Sequence, residues 1–256
     1  MNQSLNSTET NQPELSIVIP ALNEEENIAG LVEQITHCMR QSDIHYELII
    51  VDDGSSDGTL RALKIASSTC PQLKLRHRNK PMGQSAAMHA GIQAATGRFI
   101  ATLDADLQND PADLPRMLAH LKATDVDMIQ GDRSVNRQDN LIRKFGSRVG
   151  RTARRLILGD SVRDTGCSAR VVRSELAKQF PLQYKGIHRF LPIYAKKVLG
   201  ARVLEMPVSH YPRHSGQTKY GLGLFNRAFA GLVDCFALRW MTSRYRNPAT
   251  RPINRS

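Results

Sequence analysis

Short apolar runs alternate with amphipathic stretches through the first half of the chain. Leu15-Ser-Ile-Val-Ile-Pro20 is an apolar run closed by a proline, and Tyr46-Glu-Leu-Ile-Ile-Val-Asp52 is a second; both read as buried parallel strands. Between them Ile28, Leu31, Val32, Ile35 and Met39 recur at helical spacing, which makes the segment a βαβ unit. The second run enters the turn-rich Asp53-Gly-Ser-Ser-Asp57-Gly-Thr59, from which Ser56 or Asp57 is placed to cap a helix with Leu60, Leu63 and Ile65 on its apolar side.

The alternation continues. A strand around Leu73 to His77 leads through Asn79 to Gly83, which opens a helix rich in small residues that the pattern ends at Gly97. Phe99-Ile-Ala-Thr-Leu103 is a fourth strand and delivers Asp104-Ala105-Asp106-Leu-Gln108 into a loop. Pro111 then starts another helix, and a fifth strand lies near Asp127 to Gln130. The pattern predicts a Rossmann-like α/β fold, a mostly parallel sheet flanked by helices, with ligands beyond the carboxyl ends of the strands. Three polar motifs fall at such ends: Pro20 to Glu24, Asp52 to Thr59, and Asp104 to Gln108.

Length and composition bound this picture. With 256 residues the chain accommodates one large α/β domain and an appendage. The expected division is a polar, disordered tail over 1–12, a domain over 13–220, and an amphipathic helix with a basic tail over 221–256. No secretory signal is apparent, and Cys38, Cys70, Cys167 and Cys235 are scattered, so a reduced, cytoplasmic setting is expected, at the cytoplasmic face of a membrane if the chain attaches to one. The net charge of +11 calls for an anionic partner. It is concentrated late: from Arg133 to Arg163 nine basic residues face only Asp139 and Asp160, and Arg244, Arg246, Arg251 and Arg255 follow Trp240 with no acid among them.

Chemistry enters at the strand ends. Asp104 and Asp106, one residue apart, point to one side if the chain stays extended, and with the Gln108 amide oxygen they suit a hard divalent cation; ordinary loop aspartates, one capping the next helix, are the competing reading. Asp52 and Asp53 stand together where mutual repulsion requires a donor, such as a nucleobase NH or ribose hydroxyls. Around Gly216, Arg213 and Lys219 are able to fold over an anion, although charged loops are commonly only solvated; His214 receives no role.

Taken in order, Pro20-Ala-Leu-Asn23-Glu24, Val51-Asp-Asp-Gly-Ser55 with Asp57-Gly-Thr59, Asn79-Lys-Pro-Met-Gly83 and Leu103-Asp-Ala-Asp-Leu-Gln108 resemble glycosyltransferase family 2, of the inverting GT-A fold. Within it the chain looks most like the branch that loads sugars onto polyprenyl phosphates, the dolichol-phosphate mannosyltransferase-like one, over roughly residues 15 to 220. The resemblance implies a nucleotide-sugar donor bound by Pro20, Leu22, Glu24, Asp52, Asp53, Asp104, Ala105, Asp106, Gln108, Arg213 and Lys219. It further implies magnesium or manganese on Asp106 and Gln108, and catalytic roles for Asp104, Asp106, Asp164 and Arg213. Gly131-Asp-Arg133 resembles a strand-end motif whose arginine meets the acceptor phosphate, and Asp164-Thr-Gly166-Cys an acceptor-side motif. Leu22 departs from the tyrosine or polar residue of many relatives.

The acceptor is read as lipid-linked, a polyprenyl phosphate that needs no strong base, or else a hydroxyl on a glycolipid or polysaccharide, for which Asp164 is the candidate base. Leu222 to Met241 is apolar-rich but broken by Asn226, Arg227, Asp234 and Arg239, too polar for a membrane span; it and the basic stretch Leu141 to Leu158 are expected to lie at a membrane surface or to pack on the domain or a partner. A non-catalytic nucleic-acid or anionic-lipid binding protein is the rival class. Few aromatics and no recognised nucleic-acid motif argue against nucleic acid. Nothing in the pattern specifies an oligomeric state.

Overall fold

The computed structural model describes residues 12–134, 152–212 and 224–246. Its sheet has seven strands: β1 (Leu15–Ala21), β2 (Tyr46–Asp52), β3 (Leu73–His77), β4 (Phe99–Thr102), β5 (Met128–Asp132), β6 (Arg170–Arg173) and β7 (Val203–Pro207). Their order is β3-β2-β1-β4-β6-β5-β7. β6 runs antiparallel to both β4 and β5, and the remaining pairs are parallel. The chain moves outward from β1 through β2 to β3, then returns to lay β4 on the other side of β1. The crevice at the carboxyl ends of β1 and β4 is therefore the topological switch point, where ligands of open α/β sheets bind.

Alternation along the central strands supplies two cores. Leu15, Ile17, Ile19, Leu48 and Ile50 face α1 (Glu25–Gln41), α2 (Thr59–Thr69) and α4 (Asp113–Ala123). Val18, Ile49 and Val51 face α3 (Gln84–Ala94), the helical residues 152–158 (α5), α6 (Ser174–Ala177), a 3-10 turn (Ile187–Phe190) and α7 (Leu191–Lys197). With every residue of β2 buried, this strand reads as the apolar run of a two-faced sheet. The five apolar positions expected to turn α1 inward are all buried.

Several expectations need correction. Ile65 is 60% exposed, because the inward side of α2 is taken by Thr59 and Leu63, with Ala62 and Ala66 packed beside them. The helix α3 ends at Ala94, short of Gly97. Gly97 instead lets the chain pass close to β1: its N–H donates to Ser16 Oγ at 2.8 Å, and a Cβ there would lie 2.8 Å from the Ser16 backbone nitrogen. In α5 the assumed polarity is reversed. Leu156 is 78% exposed, whereas Arg154 is buried, paired with Asp160 and hydrogen-bonded to Thr165 Oγ1 and to the Val162 carbonyl. Residues 141–151 of that basic stretch lie outside the described residues.

The last helix, α8 (Leu224–Arg244), divides its apolar residues between two sides. Cys235 and Leu238 are buried against the second core, while Leu232, Val233, Phe236 and Trp240 are exposed. The expectation that the helix packs on the domain holds for one side, and the other side is exposed. Among the described residues no helix is long and apolar enough to cross a membrane.

Candidate active site

At the end of β1 the backbone turns through Asn23, whose φ of 51° lies in the left-handed region that an asparagine tolerates. Asn23 then joins two loops: its N–H donates to Ser55 Oγ at 2.9 Å, and its Oδ1 accepts the Ser56 N–H at 2.8 Å. The Glu24 N–H donates to Thr59 Oγ1, and Glu24 Oε2 accepts from Asn27. Asp57 accepts the Thr59 N–H at 2.9 Å, so it does satisfy a donor at the start of α2. Pro20 and Leu22 sit half-buried at the entrance to this bend.

Asp52 and Asp53 are buried, and the donors that answer them come from the protein itself. Asp52 accepts from Ser55 N and Ser55 Oγ and lies 2.9 Å from His77 Nδ1. Asp53 accepts from the Met82 and Gly83 N–H groups and from Arg78 Nη1. The mutual-repulsion argument for a ligand at this pair therefore fails. The turn between them and the 80–83 segment is tight, since a Cβ at Gly54 would lie 2.6 Å from the Lys80 backbone. Arg78, which also donates to the Ala86 carbonyl, was not singled out from sequence; a basic residue just past a strand end opposite an acid pair was the available signal.

Asp104 and Asp106 do not lie on an extended chain. β4 stops at Thr102 and a turn follows, with Leu107 at a φ of 57°. The turn still brings the carboxylates into each other's field. Burial pushes the Asp104 carboxyl above its ordinary value, the negative charge of Asp106 pushes it further, and a hydrogen bond from Ser168 works the other way. Gln84 Nε2 donates to Asp104 Oδ1 at 2.7 Å, another contact absent from the sequence expectation. Asp106, itself buried, accepts the Gln108 N–H at 3.3 Å. Ala105 between them is buried.

Gln108 reaches the late segment of the chain. Its side-chain nitrogen lies 3.4 Å from the Tyr211 carbonyl, and the Tyr211 N–H donates to the Gln108 carbonyl at 2.8 Å. With the amide nitrogen so engaged, the side-chain oxygen is the atom to offer a cation. Among the described residues no three His, Cys, Asp or Glu side chains form a metal cage. Asp104 and Asp106, with the Gln108 side-chain oxygen two residues on, supply the oxygen types that a hard cation shared with a diphosphate prefers. Arg213 and Lys219 lie outside the described residues.

Within the electrostatic reach of Asp104, Arg133 and Asp164 form a two-pronged ion pair: Nε to Oδ2 at 2.7 Å and Nη2 to Oδ1 at 3.0 Å. Asp164 also accepts the Arg133 and Gly166 N–H groups. Burial opposes the guanidinium charge, but Asp164 outweighs it and holds Arg133 above its ordinary pKa. Both side chains expected on the acceptor side are therefore together, although each is already the other's partner. Nearby, His188 Nδ1 lies 2.7 Å from Ser85 Oγ at the start of α3, and burial with Arg189 and Arg170 lowers its pKa to about 3, which keeps the imidazole neutral.

The family model described as glycosyl transferase family 2 matches residues 16–180. A dodecaprenyl-phosphate galacturonate synthase of Rhizobium johnstonii is 39% identical over 236 residues, 90% of this chain and 68% of that one. An undecaprenyl-phosphate 4-deoxy-4-formamido-L-arabinose transferase of Proteus mirabilis is 36% identical, over 86% and 67% of the two chains. The chain thus spans about two thirds of the length of these relatives. Glucosyl-3-phosphoglycerate synthase of Mycobacterium tuberculosis, solved with Mg2+ and uridine diphosphate, superposes with a TM-score of 0.66 at 20% identity, covering 88% of this chain and 80% of that one. A mannosyltransferase of Pyrobaculum calidifontis, solved with GDP-Man and Mn2+, gives 0.64 at 20% identity over 93% and 67%. These likenesses assign the fold as GT-A.

Proposed function

Because the chain belongs to glycosyltransferase family 2, we propose that it moves a sugar from a nucleotide-sugar donor onto a polyprenyl phosphate, with inversion at the anomeric carbon. The observation that supports this reading is what gathers around Asp104: Asp106 acts on its charge from the same turn, which Gln108 continues, and Arg133 of the Arg133–Asp164 ion pair acts on it as well. The relatives named for polyprenyl-phosphate sugar transfer support the acceptor, and the neighbours solved with Mg2+ or Mn2+ support the ion.

In this reading the nucleoside lies along the bend from Pro20 to Glu24 and the turn after Asp52 and Asp53, which the Asn23–Ser55–Ser56 contacts hold in shape. Asp106 and Gln108, with Asp104 beside them, would hold a divalent ion, whose chemistry there would be charge neutralisation of the leaving diphosphate. Arg213 and Lys219 belong with the diphosphate on the family pattern. An acceptor phosphate is already ionised and attacks without a base. That agrees with Asp164, whose two oxygens are occupied by a guanidinium and two backbone N–H groups. The pair serves to present Arg133 to the incoming phosphate. The exposed Phe236 and Trp240 on α8, with Arg244 and Arg246 close behind in the chain, favour work at an anionic membrane surface.

The test combines binding and turnover. Thermal stabilisation with UDP or GDP in the presence of Mn2+ should appear in the wild type and vanish in Asp106→Asn or with a chelator. Sugar transfer to undecaprenyl phosphate from a matching donor should follow the same pattern. Full transfer by Asp106→Asn in chelator would remove the metal from the reading, and the absence of transfer to any polyprenyl phosphate across a donor panel would remove the acceptor.

A further inference from the structure

The loop that carries Asp164 hangs from buried side chains below it. Gln130 on β5, 0% exposed, donates through Nε2 to the carbonyls of Gly131, Asp164 and Cys167, each at 3.1 Å. Arg170 on β6, 2% exposed, donates through Nε to Gln130 Oε1 at 2.8 Å and through Nη2 to the Thr165 carbonyl at 3.1 Å. Farther along, Thr102 Oγ1 donates to the Ser168 carbonyl at 2.5 Å and Asn109 Nδ2 to Ser168 Oγ at 2.8 Å. Ser168 in turn hydrogen-bonds Asp104, so one end of the loop touches the donor-side carboxylate while the other holds Arg133.

Holding a loop does not by itself require a charge. The chain neighbours Val171 and Val172 are apolar, and the Arg170 guanidinium is bonded to two neutral oxygens, with Asp104 and Asp164 acting on its charge but no described carboxylate in ion-pair contact. A buried cation without a contacting anion is costly. Such a group is favoured where the rigid fork of an arginine fixes geometry that an apolar side chain would leave loose, next to a site whose groups must stand in place beforehand. In register, Arg170 faces Thr102 on β4 and Gln130 on β5, so it spans the gap between the strand that leads to Asp104 and the strand that leads to Arg133.

We infer that Gln130 and Arg170 are positioning residues for the transfer: from inside the sheet they set the 164–168 backbone so that the Arg133–Asp164 pair stands at a fixed place beside Asp104 before the acceptor arrives. This rests on the proposed reading of that pair as the acceptor side. Neither residue touches substrate, and the loop carbonyls they hold are those of Asp164, Thr165 and Cys167, whereas Thr102 and Asn109 hold Ser168 beside Asp104, so their effect falls first on the acceptor side.

The test uses the full chain with undecaprenyl phosphate in detergent micelles as acceptor, and UDP or GDP with Mn2+, whichever stabilises the wild type, as the donor-side probe. Arg170→Lys keeps the charge and loses the fork; Gln130→Met keeps the volume and loses all four bonds. For whichever variant folds, the expected result is an acceptor KM raised tenfold or more, with nucleotide-dependent thermal stabilisation within twofold of the wild type in apparent affinity. An unchanged acceptor KM overturns the inference, and so does an equal loss of nucleotide binding, which would make the network a general structural support. If neither variant folds, Gln130→Glu, which still accepts from Arg170 and loses the bonds donated to the loop carbonyls, decides on the same two readouts. A wild type that transfers nothing to undecaprenyl phosphate counts against the proposed function, a distinct failure read before any variant is made.

Discussion

The Arg133–Asp164 pair permits a prediction that separates its structural from its chemical contribution. Asp164→Asn preserves shape but leaves the Arg133 guanidinium, 16% exposed in its side chain, facing an amide in place of a carboxylate. Removing one partner of a fully buried ion pair costs about 3–5 kcal/mol, and this pair retains some contact with water, so ~2–4 kcal/mol is the expected loss. In a chain of this size each kcal/mol lowers Tm by about 2–4 °C, which puts the variant on the order of 10 °C below the wild type. Arg133→Met should lose less, because Asp164 still accepts the Gly166 N–H and can take water. The double variant Arg133→Met/Asp164→Asn should fall within ~1 kcal/mol of Arg133→Met alone, a coupling of ~2 kcal/mol by a double-mutant cycle in urea. Transfer to undecaprenyl phosphate should nevertheless stay at least about 100-fold down in the double variant, a deficit of some 2.7 kcal/mol in the barrier. Additive stabilities within about 0.5 kcal/mol would refute the pairing argument. Recovery of transfer together with stability would refute a role in catalysis and leave the pair a strut.

Other expectations follow from features elsewhere in the chain. Burial disfavours the charged form of Glu47, but Lys74, Ser16 and two donors of Thr96 outweigh it and bring its pKa from 4.5 to about 2. A depressed carboxylate stabilises the fold above its unfolded pKa and loses that contribution as pH falls through the folded one. About 2–3 kcal/mol should therefore disappear between pH 4.5 and pH 2, and Glu47→Gln should flatten that part of the stability profile; parallel profiles for the two proteins would contradict it. On α8, Phe236→Ser with Trp240→Ser should weaken flotation with phosphatidylglycerol liposomes at low salt by tenfold or more without lowering Tm, since both side chains are more than half exposed. Unchanged flotation would assign the basic residues, or another surface, to any lipid contact.

How far the sequence carried this picture depends on which physical signal each element leaves in it. β2 and β3 were legible to the residue, because an uninterrupted apolar run or a run bounded by turn residues has few other uses. β6 and β7 were not. Arg170-Val-Val-Arg173 is four residues long with arginines at both ends, and its burial depends on hydrogen bonds that Arg170 donates to Gln130 and Thr165 and that no local pattern reveals. Val203–Pro207 is an edge strand that leaves Leu204 38% exposed, so it lacks an apolar signature. The same division runs through the site. Carboxylates announced themselves by standing in pairs at strand ends, and the positions of Asp52, Asp53, Asp104 and Asp106 follow from the strands before them. What answers Asp104 was invisible, because Gln84 and Ser168 come from other elements, whereas Ser55 stands beside Asp52 in the sequence and Arg78 follows a strand end. Repulsion between Asp52 and Asp53 was a sound inference about charge and a poor one about ligand, since the fold supplies the donors itself. By the same measure the Asp104–Asp106 turn is the better candidate for an external cation: burial, and then the charge of Asp106, still hold the Asp104 carboxyl above its ordinary value after the protein's own donors have been placed.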